Sequence, residues 1–226
     1  MVSRAPAAGV DDARTSVGSP VADEDGTVGS PVADPARGTR ERLLAAAFAI
    51  TAEGGYGAAS VGAIAGRAGV AAGTLYRHFA SKGELFVVLF RRVCGREVLA
   101  MRRAAEDVAP GPERIVAVLD TFARRALQHP RLAWALLAEP LDPLVEAERL
   151  AYRQAYRALL SDLVRAAVED GALPEQDPDL TAAALVGAVG EALVGPLAPG
   201  ADVDAAALLP ELRALVGRAI GTAVPR

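Results

Sequence analysis

The sequence predicts an all-α protein, with an N-terminal three-helix helix-turn-helix domain and a larger helical C-terminal domain. Apolar residues make up 52% of the 226 residues and aromatic residues only 4%, so the helix formers alanine and leucine supply most of the apolar content. No convincing stretch alternates apolar and polar residues with the Val, Ile and Thr content of a β-strand. Apolar residues instead recur three and four positions apart, first at Leu43, Leu44 and Ala47.

Local signals mark the ends of the helices. Ser60 and Ser81 stand where N-terminal caps are expected, because a side-chain oxygen there accepts an unpaired backbone N–H. Gly54 and Gly171 mark helix ends. We expect Pro210 to open the last helical segment rather than lie inside a helix, because proline removes a helix hydrogen bond. The predicted helices cover residues 35–53, 61–67, 71–79, 82–107, 112–128, 132–138, 143–170, 178–195 and 202–221.

The chain divides into a tail and two domains. Residues 1–34 are rich in Pro, Gly, Ser and Asp and repeat the sequence VGSPVAD, a composition that predicts disorder. Three interpretations of this tail are open: an acidic arm that tunes DNA affinity, a dispensable extension, or residues that result from a start codon assigned too early. Residues 35–90 form the helix-turn-helix domain and residues 91–226 the larger domain, with the boundary inside the fourth helix near Arg91.

Charge is unevenly distributed along the chain. Residues 1–34 carry two Arg against six acids, whereas residues 35–82 carry five Arg and one Lys against two. Residues 83–103 add five Arg against two acids, and residues 104–226 carry eleven Arg against eighteen. A basic block beside an acidic body is typical of a surface that binds phosphate.

The strongest motif runs from Gly62 to Leu85 and reads GAIAGRAGVAAGTLYRHFASKGEL. Two short helices joined by a turn at Gly69 form a helix-turn-helix, whose second helix enters the major groove of DNA. Over residues 38–90 this segment resembles the TetR/AcrR family. Gly83 departs from the acidic residue or alanine that is usual in that family, and it is expected to loosen the first turn of the fourth helix.

The resemblance implies which residues contact DNA. Positions expected at the phosphate backbone are Ser60, Thr74, Tyr76, His78 and Lys82, whose hydroxyl, imidazole and ammonium groups suit phosphate. Positions expected at the bases are Ala71, Ala72, Gly73 and Tyr76, and Arg40, Arg67 and Arg77 are further candidates for backbone or groove. Each has a structural alternative, because Tyr76 and His78 also fit half-buried roles and the arginines also fit a solvated face.

The resemblance also implies a small-molecule site enclosed by the fourth to seventh helices. The ligand candidates are Met101, Phe122, Trp134, Glu148, Tyr152 and Tyr156, and ordinary core packing is the alternative for each. Glu148 lies on an apolar helix face, where a carboxylate needs either an arginine or a ligand as its partner. The expected effector is a small apolar molecule that carries one polar group.

The last two helices are rich in small residues, including Gly187 and Gly190. In the family such helices form a four-helix bundle between two subunits, so we expect a homodimer. A dimeric repressor that binds a palindromic double-stranded operator and is released by the effector is therefore the predicted function. The same features fit an activator as well as a repressor.

An enzyme and an architectural DNA-binding protein are the two alternative classes. The histidines His78 and His129 are far apart, and no GxSxG, Walker loop or metal-ligand spacing appears, so we expect no enzyme, cofactor or metal. An architectural DNA-binding protein without a ligand is the second alternative.

The first residues lack the apolar core of a secretory signal, and residues 182–196 contain Glu191 and are too short to span a bilayer. We therefore expect a cytoplasmic protein that does not enter a membrane.

Overall fold

The structure, a computed structural model, describes residues 35–222 and the side chains from residue 38 onward. The predicted disordered tail lies outside these residues. Within them the chain forms helices and no strand, so the all-α prediction is confirmed. The helices are α1 (Pro35–Gly54), α2 (Val61–Arg67), α3 (Ala72–His78), α4 (Lys82–Glu106), α5 (Pro112–Gln128), α6 (Pro130–Leu137), α7 (Pro143–Glu169), α8 (Pro178–Leu197) and α9 (Ala205–Ile220).

Side-chain caps fix the predicted starts of two helices. Ser60 Oγ accepts the backbone N–H of Ala63 at 3.1 Å, which begins α2. Ser81 Oγ accepts the N–H of Glu84 at 3.0 Å, which begins α4. Between α2 and α3 the chain turns at Gly69, whose φ of 68° favours glycine. The helix-turn-helix geometry therefore follows from local sequence.

The last helix differs from the prediction, because Pro210 lies inside α9 instead of opening a new segment. Asp204 starts the helix earlier by accepting the N–H groups of Ala206 and Ala207. Proline at this position removes its own N–H from the helix ladder, and its ring crowds the carbonyl of Ala206 four residues earlier. The buried side chains of Leu212 and Val216 continue the packed face beyond it, and this packing offsets the lost hydrogen bond.

Two hydrophobic cores hold the helices together. The first is built from α1 to α4 and is completed by Leu132 of α6 and Val145 of α7. The second is built from α4, α5 and α7 to α9. Helix α4 enters both, since Cys94 belongs to the first core and Met101 to the second. The first core extends beyond Arg91 to Val93 and Cys94, and the domain boundary near Arg91 stays a prediction.

The apolar stretch at residues 182–196 lies within α8, a helix of 20 residues. Within the described chain it is the one helix long and apolar enough to cross a membrane, with a mean hydropathy of 1.7. One such helix is weak evidence for a membrane span, because the apolar helices of soluble proteins meet the same criterion. Leu185, Val189 and Leu193 of α8 are buried in the second core.

Candidate functional site

Helix α3 presents a small, open surface to solvent. Leu75 and Phe79 turn inward and are fully buried, as their spacing predicts. On the other side, Tyr76 is 57% exposed. The exposed residues of this α3 surface are Ala71, Ala72, Gly73, Tyr76 and Arg77. The residues predicted to read bases therefore lie together, with short side chains that permit close approach of a DNA groove.

Thr74 and His78 lie deeper than the rest of α3. Thr74 is only 9% exposed, and its hydroxyl accepts a hydrogen bond of 3.1 Å from Arg77 Nη2. His78 is half-buried at the end of the helix. A role of Thr74 at phosphate remains a prediction, because its side chain supports Arg77 in this structure.

The predicted arginines beside α3 have partners within the domain. The Arg40 guanidinium lies 4.9 Å from the ring centroid of Phe79, so α1 and α3 are joined by a cation–π contact. Arg67 donates two hydrogen bonds to Glu53, of 2.5 and 2.6 Å, and they lower the pKa of the Glu53 carboxyl. Both members of this pair are exposed, so Arg67 stays at the surface of α2.

Lys82, the lysine of the motif, is half-buried at the start of α4. Its ammonium lies 4.0 Å from the ring centroid of Tyr56 and 5.5 Å from that of Phe86, and 3.5 Å from the Tyr56 carbonyl oxygen. Burial lowers the pKa of Lys82, while the carboxylates of Asp142 and Glu139 act in the opposite direction. Lys82 thus lies where the helix-turn-helix domain meets the loop between α6 and α7.

That loop carries a polar contact that the sequence did not predict. The Glu139 carboxylate accepts the backbone N–H groups of Tyr56 and Gly57 at 2.9 and 3.1 Å. Arg131 Nη2 donates to the Gly54 carbonyl at 2.6 Å. We name Arg131 and Glu139, together with the loop that holds Glu139, the α6–α7 clamp. It binds the loop between α1 and α2, which leads directly into the helix-turn-helix.

Two glycines permit close packing against the α6–α7 clamp and the start of α7. A Cβ atom at Gly55, whose φ is 81°, would collide with the Arg131 and Glu139 side chains. A Cβ at Gly83 would lie 2.9 Å from Asp142 Oδ1, the oxygen that caps α7 by accepting the Leu144 N–H. Gly83 therefore permits α4 to approach the start of α7, which gives its departure from the family pattern a physical reason.

A cavity of about 370 Å³ lies in the C-terminal domain between α4, α5, α6, α7 and α8. Of the predicted ligand residues, Phe122, Tyr152 and Tyr156 line it. Met101 lines a smaller cavity of about 40 Å³, together with Phe122 and Tyr156. Trp134 packs against the second core. The structure therefore brings together half of the predicted set.

Glu148 lies outside the cavity wall, and this corrects its predicted role as a ligand residue. Its carboxylate accepts two hydrogen bonds from Arg91, of 2.9 and 2.6 Å. The sequence predicts either an arginine or a ligand as the partner of this carboxylate, and in the structure the partner is Arg91. Tyr152 joins the same two helices, because its hydroxyl donates to the Arg91 carbonyl at 3.0 Å. The contact ties α7 to α4.

The sequence did not predict the charged residues of the cavity. Arg125 and Glu97 form a bidentate pair with distances of 2.5 and 2.9 Å. Arg149 and Arg153 of α7 and Glu191 of α8 also line the wall. Burial raises the pKa of the Cys94 thiol to about 12 and that of Tyr156 as well, so both stay neutral near neutral pH. Among the described residues no group of His, Cys, Asp and Glu is arranged to hold a metal ion.

Comparison with known proteins identifies both halves of the chain. The family model described as bacterial regulatory proteins, tetR family, matches residues 43–89. The model described as tetracyclin repressor-like, C-terminal domain, matches residues 108–192. The first covers the helix-turn-helix, and the second covers α5 to α7 and most of α8, which are four of the five helices that surround the cavity.

Curated relatives and solved structures agree with these matches. The transcriptional activator FasR of Mycolicibacterium smegmatis is 30% identical over 128 residues, which are 55% of this chain and 58% of that protein. The transcriptional repressor KstR of Mycobacterium tuberculosis is 37% identical over 100 residues, 44% of this chain and 46% of its own length. The chain thus spans about half the length of the curated relatives it matches.

The regulator FadR of Bacillus subtilis, solved with stearoyl-CoA, has a TM-score of 0.69 at 21% identity, covering 81% of this chain and 99% of that one. FadR of Bacillus halodurans gives 0.71 at 24% identity, covering 83% and 97%. At this identity the two structures establish the fold. With both family models matching in the expected order, the chain belongs to the tetR family of bacterial regulatory proteins, as its helix-turn-helix motif predicts.

Proposed function

We propose that the protein is a dimeric transcriptional repressor that binds an operator through α3 and leaves it when a small apolar molecule enters the C-terminal cavity. The observation that carries this proposal is the open α3 surface, where short side chains surround the exposed Tyr76. It lies in a segment, residues 35–82, that is rich in arginine and poor in acids. This combination suits a major groove flanked by phosphates.

The effector is an apolar molecule of small or lipid size. A volume of about 370 Å³ falls within the range of ligand sites, roughly 300–1,000 Å³. Phe122, Tyr152 and Tyr156 supply an aromatic wall. FadR of Bacillus subtilis is described with bound stearoyl-CoA, so a molecule with an acyl chain is the first class to test.

The dimer forms through α8 and α9. Gly187 has open space where a Cβ would lie and lines no cavity, whereas Gly190 borders the C-terminal cavity, and Leu180 and Leu215 are exposed large apolar side chains on the two helices. Small residues permit helices to approach closely in a four-helix bundle. A symmetric dimer presents two α3 helices, which bind half-sites about one DNA turn apart or a multiple of it. The protein acts in the cytoplasm, where its DNA is.

Selection of bound duplexes from a randomised DNA library tests the DNA part of the proposal. We expect an inverted repeat to be enriched and Tyr76→Ala to lose the preference, whereas Arg157→Ala, on an exposed position of α7, should keep it. Enrichment of no sequence, with equal affinity for all duplexes, would favour the architectural alternative.

A second assay tests the direction of control. The selected duplex is placed upstream of a reporter promoter, and transcription is measured with and without the protein. Repression that an acyl ligand relieves supports the proposal. Stimulation of transcription would place the protein with the activator FasR rather than with KstR, and would overturn the repressor assignment.

A further inference from the structure

Arg149 is a residue of the cavity wall with a buried nitrogen that lacks a hydrogen-bond partner within the described chain. Its side chain is only 14% exposed. Nη2 donates to the Glu139 carbonyl at 2.6 Å and Nη1 lies 3.0 Å from Glu146 Oε2. Nε is buried and has no hydrogen-bond partner within the described chain. A buried donor left in this way costs free energy unless a ligand or water accepts from it.

The second atom of this kind in the described chain is Arg131 Nη1, and Arg131 belongs to the α6–α7 clamp. Both incompletely bonded arginines therefore surround Glu139. Leu136, Leu137 and Ala138, which directly precede Glu139, line the cavity. Glu139 is thus one residue away from the ligand wall on one side, while its carboxylate holds the loop between α1 and α2 on the other.

The charges of the cavity favour an acid. Arg125 is neutralised by its bidentate contact with Glu97, whereas Arg149 and Arg153 face only Glu191 among the other lining residues. Burial lowers the pKa of the Arg149 guanidinium, Glu146 opposes this, and Arg153 adds to it. The lining therefore carries three arginines against two glutamates, next to a largely aromatic and aliphatic wall, and the carboxylate that pairs with Arg149, that of Glu146, lies outside the lining.

We propose that the cavity takes an amphipathic acid whose anionic group binds Arg149, and that this binding releases the α6–α7 clamp from the helix-turn-helix domain. The proposal rests on the proposed function, since it takes this cavity to be the effector site. It specifies the chemical class of the ligand and the residue that senses it.

The coupling follows from competition for one guanidinium. While Nη2 donates to the Glu139 carbonyl and Nη1 lies beside Glu146, an incoming carboxylate competes with these acceptors for every N–H except that of Nε. Bidentate carboxylate binding is stronger than a single contact, so the acid binds more tightly to the form in which Arg149 has left Glu139. A ligand shifts an equilibrium toward the form that it binds better. In that form Glu139 loses its anchor, and its hold on the Tyr56 and Gly57 N–H groups weakens.

Calorimetric titration of the full chain with decanoate and with 1-decanol, both below micellar concentration, tests the ligand class. Decanoate should bind about 10- to 100-fold more tightly than 1-decanol, the range that a charge-assisted contact supplies. Arg149→Met should abolish this difference while leaving 1-decanol binding unchanged, and Arg149→Lys should restore part of it. Arg157→Met, which removes an exposed cation of α7 outside the lining, should preserve it.

Hydrogen exchange tests the coupling. Decanoate should accelerate exchange at the Tyr56 and Gly57 amides in the wild type, and 1-decanol should not. In Arg149→Met both amides should exchange faster without ligand, with no further response to decanoate. Slower or unchanged exchange in the decanoate complex would overturn the release of the clamp.

The remaining outcomes separate this inference from the proposed function. Equal binding of acid and alcohol, or loss of the difference in Arg157→Met only, would overturn the role of Arg149 while an apolar effector site stands. Binding of neither compound would overturn both the acid class and the acyl-chain effector. Decanoate binding through Arg149, in a protein that selects no DNA sequence, would support the inference and overturn the repressor assignment.

Discussion

Replacing Glu139 by alanine should destabilise the protein far more than removing an ordinary surface carboxylate. The Glu139 carboxylate accepts the N–H groups of Tyr56 and Gly57, which lie more than eighty residues away in the chain. No other acceptor is in place for these two donors within the described residues. The substitution therefore disconnects two distant parts of the structure.

The expected loss in the free energy of unfolding follows from the two hydrogen bonds. A hydrogen bond to a charged group contributes about 1.5–3 kcal/mol, but the Gly57 contact is exposed and water can replace much of it. We expect a total loss of about 2–3 kcal/mol. For a protein of this size, 1 kcal/mol corresponds to about 2–4 °C in Tm, so Glu139→Ala should melt about 5–10 °C lower. Glu139→Gln keeps one acceptor oxygen and should lose about half as much.

Thermal unfolding followed by circular dichroism, at one fixed protein concentration because assembly shifts Tm, measures the difference. Glu146→Ala is the matched control, since it also removes a carboxylate beside Arg149 but from a partly exposed pair, which contributes about 0–1 kcal/mol. If Glu139→Ala and Glu146→Ala melt at the same temperature, the clamp does not stabilise the fold and the reasoning fails.

Three further predictions concern binding, assembly and pH. Lys82→Ala should weaken binding to all duplexes and reduce the slope of log K against log salt by about one; fluorescence anisotropy across a salt series measures this, and a changed base preference at constant slope would contradict it. Gly187→Leu should convert the dimer to a monomer, because the space beside Gly187 is open within the subunit and the larger side chain would extend into the partner. Light scattering measures the assembly state, and a monomeric wild type would refute the interface. Burial would raise the pKa of the Asp120 carboxyl, but hydrogen bonds from Arg213 and Arg124 hold it below its usual value. Its stabilisation is therefore present near neutral pH and is lost as the pH falls below about 3.9; Asp120→Asn should lower Tm near pH 7 and flatten its decline in acid, and an unchanged decline would contradict this assignment.

Elements that depend on neighbouring residues could be predicted from the sequence. The caps Ser60 and Ser81 act on N–H groups three residues away, so their effect is written in the local order of residue types. The same holds for the turn at Gly69 and for the inward direction of Leu75, which follows from helical spacing. The α3 surface could be predicted for this reason.

Contacts between distant helices could not be predicted in this way. Nothing in the sequence near Glu148 indicates that Arg91 of α4 lies opposite, and nothing near Glu139 indicates the loop between α1 and α2. The sequence did not indicate that Arg149 and Arg153 line the cavity, because the arginines of α7 recur four apart, a spacing equally typical of a solvated face. Pro210 was misjudged because the cap at Asp204 and the packing of Leu212 outweigh the local penalty of proline.

The completion of the first core by Leu132 and Val145 has a consequence for folding. A fragment ending at residue 90 would keep the helix-turn-helix sequence but lose these two side chains, together with Val93 and Cys94. Its remaining apolar surface would be exposed to water over the faces that α6 and α7 cover. The DNA-binding segment is therefore a unit of sequence but not an independent unit of folding, and the chain from residue 35 onward should unfold in one cooperative transition rather than domain by domain.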